Sequence, residues 1–215
     1  MERHAAKLGF YAASISFLAA LGFGIVQLAE VVGLVRFPVA DVLIYSFSLV
    51  IAAPFMLAIM ALAFTAEGER RIWAAAALLL SVLYATYVTL VYAVQLASVI
   101  PAAIAGVAPH ELTMYPHSMF WTLDGLGYVS MGAATALAAF ALPREAVWTR
   151  RFLLANGWIT PLIAFVYLYP QFSNGLLLLG APWLVTAPGA ILLLAGHFRR
   201  LHAPDTVVFR VLVID

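Results

Sequence analysis

The chain has 215 residues, of which 65% are hydrophobic and 10% charged, with a mean hydropathy of +1.03 and a formal net charge of +1 at pH 7. A soluble domain carries about 25% charged residues, so this composition excludes a water-soluble globule, and the near-neutral charge excludes a strongly basic nucleic-acid surface. The absence of cysteine excludes disulfides, thiolate metal sites, cysteine nucleophiles and thiol redox chemistry.

Six long apolar segments follow one another along the chain. A membrane span needs about 20 apolar residues, and the fifth segment is slightly short of that. Because hydrocarbon offers no partner for an open backbone N–H or C=O, each segment is predicted to be helical. Runs such as IWAAAALLLSVLYATYVTLVYAV lack the alternation of β-barrel strands. The sequence therefore predicts an all-α, polytopic transmembrane bundle of six helices in one domain, 1–200, with helices at about 8–34, 42–64, 72–104, 119–142, 152–168 and 176–196.

The basic residues are concentrated at one end of this predicted bundle. They flank the first and sixth helices or join the second to the third and the fourth to the fifth: Arg3, Lys7, Arg70, Arg71, Arg144, Arg150, Arg151, Arg199, Arg200 and Arg210. The other three connections contain one arginine, Arg36. Because connections rich in Lys and Arg stay in the cytoplasm, both termini and the tail, 201–215, are predicted to be cytoplasmic.

The fourth helix carries a polar stripe at membrane depth. Pro116 suits the first helical position, where its missing N–H costs nothing. At about 100° per residue, one face of the helix carries His117, Trp121, Asp124, Tyr128 and Thr135. An ionisable group in hydrocarbon costs several kcal/mol unless it faces a partner, water or the bundle interior. Asp124 is therefore interpreted either as a buried group bonded to another helix or as part of a site.

Polar side chains on other helices are predicted at a similar depth. Asp41 opens the second helix, and further stripes on the third and fifth helices comprise Ser81, Tyr84, Tyr92 and Gln95, and Asn156, Thr160 and Tyr167. A pocket open to the outer side would be lined by Gln27, Glu30, Tyr92, Gln95, His117, Trp121, Asp124 and Tyr128. The alternative is that the tyrosines and glutamines hold helices together, each by about 0.6 kcal/mol. That alternative explains Glu30 and Asp124 less well, because a neutral Asn or Gln would hold the helices together at a lower energetic cost.

Small residues and prolines add packing signals. Ser130, Ala134 and Ala138 recur at four-residue spacing, which favours close helix approach and, secondarily, dimerisation. Four prolines are predicted to interrupt three of the helices: Pro54, Pro161, Pro182 and Pro188. Pro101 is predicted to end or bend the third helix. Broken helices border substrate sites in transporters, although proline kinks are also common in other membrane proteins.

Three functions compete on this evidence. The first is binding or transport of a small molecule or cation through the outer-side pocket, with homo-oligomerisation compensating for the small size of the chain. The second is a structural or accessory membrane subunit. The third is a metal-dependent intramembrane hydrolase with His110, Glu111, His117 and Asp124 as ligands, although their spacing matches no ligand motif. No cofactor is predicted, the lipid bilayer is the expected partner, and the small-molecule ligand is not identified by the sequence.

Three stretches carry a family resemblance, namely YPHSMFWTLDGLGYVSMGAATALAAFAL, WTRRFLLANGWITPL and LGAPWLVTAPGAILLLAGHFRR. Over the fourth to sixth helices, the chain resembles a family of uncharacterised bacterial six-helix integral membrane proteins. The resemblance implies six spans and a bacterial inner membrane. It implies no assigned activity, and it carries no catalytic residues to this sequence.

Overall fold

The computed structural model describes residues 2–107 and 109–202, and within these residues six helical spans are long and apolar enough to cross a membrane. The helices are α1 (Glu2–Val31), α2 (Val39–Thr65), α3 (Arg70–Ile104), α4 (Met119–Ala141), α5 (Val147–Leu168), α6 (Asn174–Gly180) and α7 (Trp183–His202). The short α6 and the longer α7 together form the sixth span. No strand occurs among the described residues. The predicted all-α bundle with six spans is confirmed.

Several helices extend beyond the apolar segments that predicted them. The observed first residue differs most from the predicted one in two helices. Helix α1 begins at Glu2, and helix α5 begins at Val147 and is 22 residues long. Charged side chains can lie within the first turns because their long stems reach back to the membrane surface. At the other end of the chain, α7 continues to His202. The remainder of the predicted tail, 203–215, lies outside the described residues.

The spans form a closed ring in chain order. Each span packs against the next one, and the last, α7, packs against α1 as well as α5. The seam between α1 and α7 is tight: a Cβ added to Gly9 would lie 2.8 Å from the ring of Phe198. Nearby, the rings of Phe10 and His202 are 5.3 Å apart. The ring places alternate connections at the same end of the bundle.

Side-chain size is distributed as expected for a bundle in lipid. The interior is rich in alanine, with Ala13, Ala58 and Ala134 almost fully buried. Large apolar side chains point outward, including Leu79 at 70% exposure and Trp158 at 79%. Small interior residues allow close helix approach, and in a bilayer the lipid tails would solvate the outer side chains. In water, exposed apolar faces of this extent would drive association.

Prolines have different effects along the bundle. Pro54, Pro161 and Pro188 lie inside continuous helices, so the prediction that they interrupt their helices is wrong. Pro182 lies at the break between α6 and α7. Pro101 does not end α3, because the π-helical turn Gln95–Val99 precedes it and the helix then continues to Ile104. A π-turn shifts the hydrogen-bond register by one residue, which accommodates the missing proline N–H.

Candidate functional site around Asp124

Asp124 is a buried carboxylate near one end of the bundle. The N-cap of α4 is Ser118, whose Oγ accepts a hydrogen bond of 3.2 Å from the backbone N–H of Trp121. This cap fixes the start of the helix at Met119. Asp124 follows about 8 Å along the axis, at a rise of about 1.5 Å per residue. Its exposed fraction is only 4%, so its charge depends on partners within the protein.

Two tyrosines from two other helices are those partners. The hydroxyl of Tyr92 on α3 donates to Oδ1 of Asp124 at 2.6 Å, and the hydroxyl of Tyr167 on α5 donates to Oδ2 at 2.6 Å. Both carboxylate oxygens therefore accept a short hydrogen bond, and hydrogen bonds to an ionised acceptor are about twice as strong as neutral ones. The arrangement joins α3, α4 and α5 and stabilises a negative charge inside the bundle.

Aromatic rings surround the carboxylate. Tyr92 stacks on Tyr45 of α2, with ring centroids 5.4 Å apart, and Tyr167 packs against Trp121 at 4.5 Å. The rings of Tyr128 on α4 and Trp183 on α7 pack edge to face, with centroids 5.1 Å apart, and they extend the group towards α1. We call this group the aromatic cluster, and its members are Tyr45, Tyr92, Trp121, Tyr128, Tyr167 and Trp183.

Two more carboxylates belong to the same end of the bundle. Glu30 lies at the end of α1 and Asp41 in the first turn of α2, and both are partly exposed. Asp41 and Tyr45 are four residues apart on α2 and therefore lie on one face of it, and Tyr45 stacks on Tyr92, which bonds to Asp124. Among residues 2–107 and 109–202, the one ion pair joins Arg70 and Glu67, at the opposite end. The three carboxylates thus lie at the same end of the bundle as the aromatic cluster and have no described basic partner.

Gln95, which the sequence placed in the pocket, is engaged elsewhere. It is 2% exposed, its Nε2 donates to the carbonyl of Leu112 at 2.7 Å, and its Oε1 accepts from the backbone N–H of Met114 at 3.4 Å. The amide therefore anchors the connection that precedes α4. Gln27 is partly exposed on α1, and no hydrogen bond joins it to Asp124 within the described part of the chain.

His117 does not lie on the polar stripe of α4. Its φ of 68° places it in the left-handed region, outside the helix. The prediction that Pro116 opens the helix is therefore wrong. The physical reason is Ser118, whose hydroxyl satisfies a free N–H of the first turn, so the helix starts after it. Trp121, Asp124 and Tyr128 do lie together as predicted from their spacing.

The candidate metal ligands do not converge. His110 pairs with Tyr115 instead, with Nδ1 3.3 Å from the hydroxyl. Both oxygens of Asp124 already accept hydrogen bonds. Within 2–107 and 109–202, no three His, Asp or Glu side chains are placed to hold a metal ion. The geometry thus gives no support to a hydrolytic site formed with Glu111 and His117.

A second polar network lies deeper in the bundle. Asn156 of α5 donates to Oγ1 of Thr135 on α4 at 3.1 Å and accepts from Oγ1 of Thr186 on α7 at 3.1 Å. Thr135 in turn donates to the carbonyl of Gly132 at 2.8 Å. Because its members bond to one another, this network serves helix packing. The polar stripes predicted from the sequence included Asn156 and Thr135, whereas no sequence pattern indicated a role for Thr186.

One fully buried polar atom in the aromatic cluster is unpaired. Trp183 is 6% exposed, and its indole N–H has no hydrogen-bond partner among the described residues. An indole N–H is a donor only, so it could bind an acceptor atom. The cluster therefore combines negative charge, aromatic faces and a buried, unused hydrogen-bond donor.

Comparison with known proteins gives no relative from which a role could be transferred. No family model matches the chain, and neither the curated proteins nor the solved structures contain a match. The family resemblance of the fourth to sixth helices stays a prediction. The functional argument therefore rests on the geometry around Asp124.

Proposed function

We propose that the protein binds a small organic cation at the end of the bundle that contains Asp124. The observation that carries this proposal is a set of three carboxylates, Glu30, Asp41 and Asp124, at the same end of the bundle as the aromatic cluster, without a basic partner among the described residues. Glu30 and Asp41 are partly exposed and would attract the cation first. Asp124, held by two tyrosines, would supply the buried negative charge.

The chemistry of the cluster favours an organic cation over a bare metal ion. Aromatic faces attract cations, and several aromatic rings together recognise quaternary ammonium groups, with about 2 kcal/mol or more when the site is desolvated. A metal ion would instead need three or more oxygen or nitrogen ligands in one place. The unpaired N–H of Trp183 would add a donor for an acceptor atom of the same ligand.

Transport is the natural extension of binding at this site. Trp183 begins α7 directly after the helix break at Pro182. Discontinuous helices border the substrate sites of many transporters, where the break allows one part of a span to move. The broken sixth span thus supports alternating access, in which the site opens first to one side of the membrane and then to the other. The ligand would enter from the outer side.

Choline is a suitable probe, and we expect it to raise the Tm of the purified protein in detergent. Its neutral isostere 3,3-dimethyl-1-butanol has the same shape without the charge and should leave the Tm unchanged. Binding to the folded state alone stabilises it by about 2.7 kcal/mol at 100 times the Kd. The double variant Glu30→Gln/Asp41→Asn should need several-fold more choline for the same shift.

The matched control for this experiment is Glu2→Gln/Glu69→Gln. It removes two carboxylates from the opposite end of the bundle, so its choline response should equal that of the unaltered protein. Equal shifts with choline and the neutral isostere, or no shift with any quaternary ammonium compound at millimolar concentration, would contradict cation binding.

A structural or accessory role is the second candidate. It is favoured by the fact that both oxygens of Asp124 already bond to tyrosines on neighbouring helices. In that case the carboxylate joins α3, α4 and α5 and needs no ligand. Absence of any cation response, together with loss of folding in Asp124 variants, would support this role.

We further propose that the site faces the outside of a bacterial inner membrane, with both chain termini cytoplasmic. Among residues 2–107 and 109–202, Arg36 is the one arginine or lysine at the site end. Four acidic residues lie at the same end: Glu30, Asp41, Glu111 and Asp124. The opposite end contains nearly all the arginines, and such connections stay in the cytoplasm.

The chain lacks cysteine, so single introduced cysteines test this orientation directly. In intact cells, a membrane-impermeant maleimide should label Leu34→Cys, at an exposed position between α1 and α2. The same reagent should label Glu69→Cys, between α2 and α3, only after the cells are permeabilised. The reverse labelling pattern would overturn the orientation and place the carboxylates on the cytoplasmic side.

A further inference from the structure

A basic cleft lies at the end of the bundle opposite Asp124. It has a volume of about 430 Å³ and lies between the start of α3 and the connection from α4 to α5. Arg70, Arg144 and Arg150 line it, together with one acidic residue, Glu145. Three guanidinium groups exceed the two nearby carboxylates, Glu145 in the lining and Glu67 paired with Arg70, so the cleft has a net positive charge and a ligand for it would be an anion.

The arginines retain most of their hydrogen-bond donors. Arg150 is held in place by its Nε, which donates to the carbonyl of Ala139 at 3.1 Å, and this bond leaves both Nη groups for a ligand. Arg70 uses one Nη for its ion pair with Glu67 at 3.3 Å. Arg144 is exposed. Since a guanidinium has five N–H donors, this set matches an anion with several oxygen acceptors.

Apolar side chains also line the cleft. Phe140 and Leu142, at the end of α4, form part of its lining. Phe140 is 46% exposed and packs against Trp73, with ring centroids 5.3 Å apart. Exposed aromatic side chains at the ends of spans are typical of the membrane interface. The cleft thus offers a basic region next to an apolar rim, at the depth of lipid headgroups.

We propose that this cleft binds the phosphate of an anionic phospholipid. Arginine forks match phosphate oxygens bidentately, and basic pockets between spans on the cytoplasmic side bind acidic headgroups. The apolar rim around Phe140 would contact the acyl chains, and an inorganic phosphate ion would not use it. This inference is independent of the proposed cation site, because the two sites share no residue and lie at opposite ends.

Native mass spectrometry of the detergent-purified protein tests the proposal. After incubation with equal amounts of phosphatidylglycerol and phosphatidylcholine, we expect bound phosphatidylglycerol to predominate by tenfold or more. Arg144→Gln/Arg150→Gln should reduce that preference at least tenfold, while Arg151→Gln, at a residue that stacks on Trp148 outside the cleft, should preserve it. Arg144→Gln alone should reduce it several-fold and keeps the bond from Arg150 to Ala139.

The outcomes separate the two sources of phosphate. Competition by millimolar inorganic phosphate, together with a preference for phosphatidylglycerol, would support recognition of the lipid phosphate. Binding of inorganic phosphate without a preference for phosphatidylglycerol would overturn the lipid proposal. So would equal retention of the two lipids, or an equal loss in Arg144→Gln and Arg151→Gln while both variants keep the Tm of the unaltered protein.

Discussion

Asp124→Asn is expected to raise the Kd for choline by about 10- to 150-fold while the protein still folds in detergent. Two opposite unit charges roughly 6–10 Å apart attract each other by about 1.7–2.8 kcal/mol at an effective dielectric constant of about 20, and about 1.4 kcal/mol corresponds to a tenfold change in Kd. Asparagine has nearly the same shape and retains one carbonyl acceptor for Tyr92 or Tyr167. The variant therefore removes the charge and preserves most of the packing, and a choline titration of the Tm measures the result.

Asp124→Leu separates the charge from the hydrogen bonds. Leucine leaves the hydroxyls of Tyr92 and Tyr167 without their acceptor, and an unsatisfied buried group costs about 1–3 kcal/mol. We therefore expect Asp124→Leu to lower the Tm more than Asp124→Asn. Thr122→Val, on the exposed face of the same helix, should change neither property. Choline binding by Asp124→Asn equal to that of the unaltered protein would contradict the cation site and favour the structural role.

Gly157→Ala is expected to cause the largest loss of stability among single-methyl substitutions. An added Cβ would lie 2.6 Å from Cβ and 3.2 Å from Cα of Ala136, so the backbone of α4 itself would have to move away from α5. Overpacking of a close contact typically costs about 1–3 kcal/mol. Thermal unfolding in detergent, followed by circular dichroism, should show a clearly lowered Tm.

Gly196→Ala provides the matched control. This glycine also lies inside a helix, but a Cβ there would meet no atom within 4 Å, so the variant should be neutral or more stable by up to about 1 kcal/mol. Gly132→Ala is an intermediate case, because its Cβ would meet Thr160, a side chain. Adding Thr160→Ala should recover part of that loss. Equal Tm values for Gly157→Ala and Gly196→Ala would refute the close approach of α4 and α5.

The sequence predicted the spans well because each depends on local composition. Every apolar segment became a helix, and the differences at Glu2 and Val147 arise from charged residues that helices tolerate at their ends. The spacing of Trp121, Asp124 and Tyr128 also predicted a shared face. These inferences need only the hydropathy and periodicity of one segment at a time.

The remaining features depend on partners that are distant in the chain. Gln95 bonds backbone atoms of Leu112 and Met114, and nothing in a glutamine specifies a remote carbonyl. The bonds from Tyr92 and Tyr167 to Asp124 require the ring order of the helices, which hydropathy does not encode. His117 was misplaced because Pro116 and Ser118 are both good helix-start signals, and only the serine bonds to the first turn.

The closed ring of helices has a consequence for synthesis. Among the described spans α1 is synthesised first, whereas α7, the helix that covers Gly9 and its neighbours, is synthesised last. Until then one flank of α1 must be shielded by lipid or by the insertion machinery. A nascent chain arrested before Trp183 should therefore remain crosslinkable at Gly9 to its insertase, and release should coincide with the arrival of Phe198.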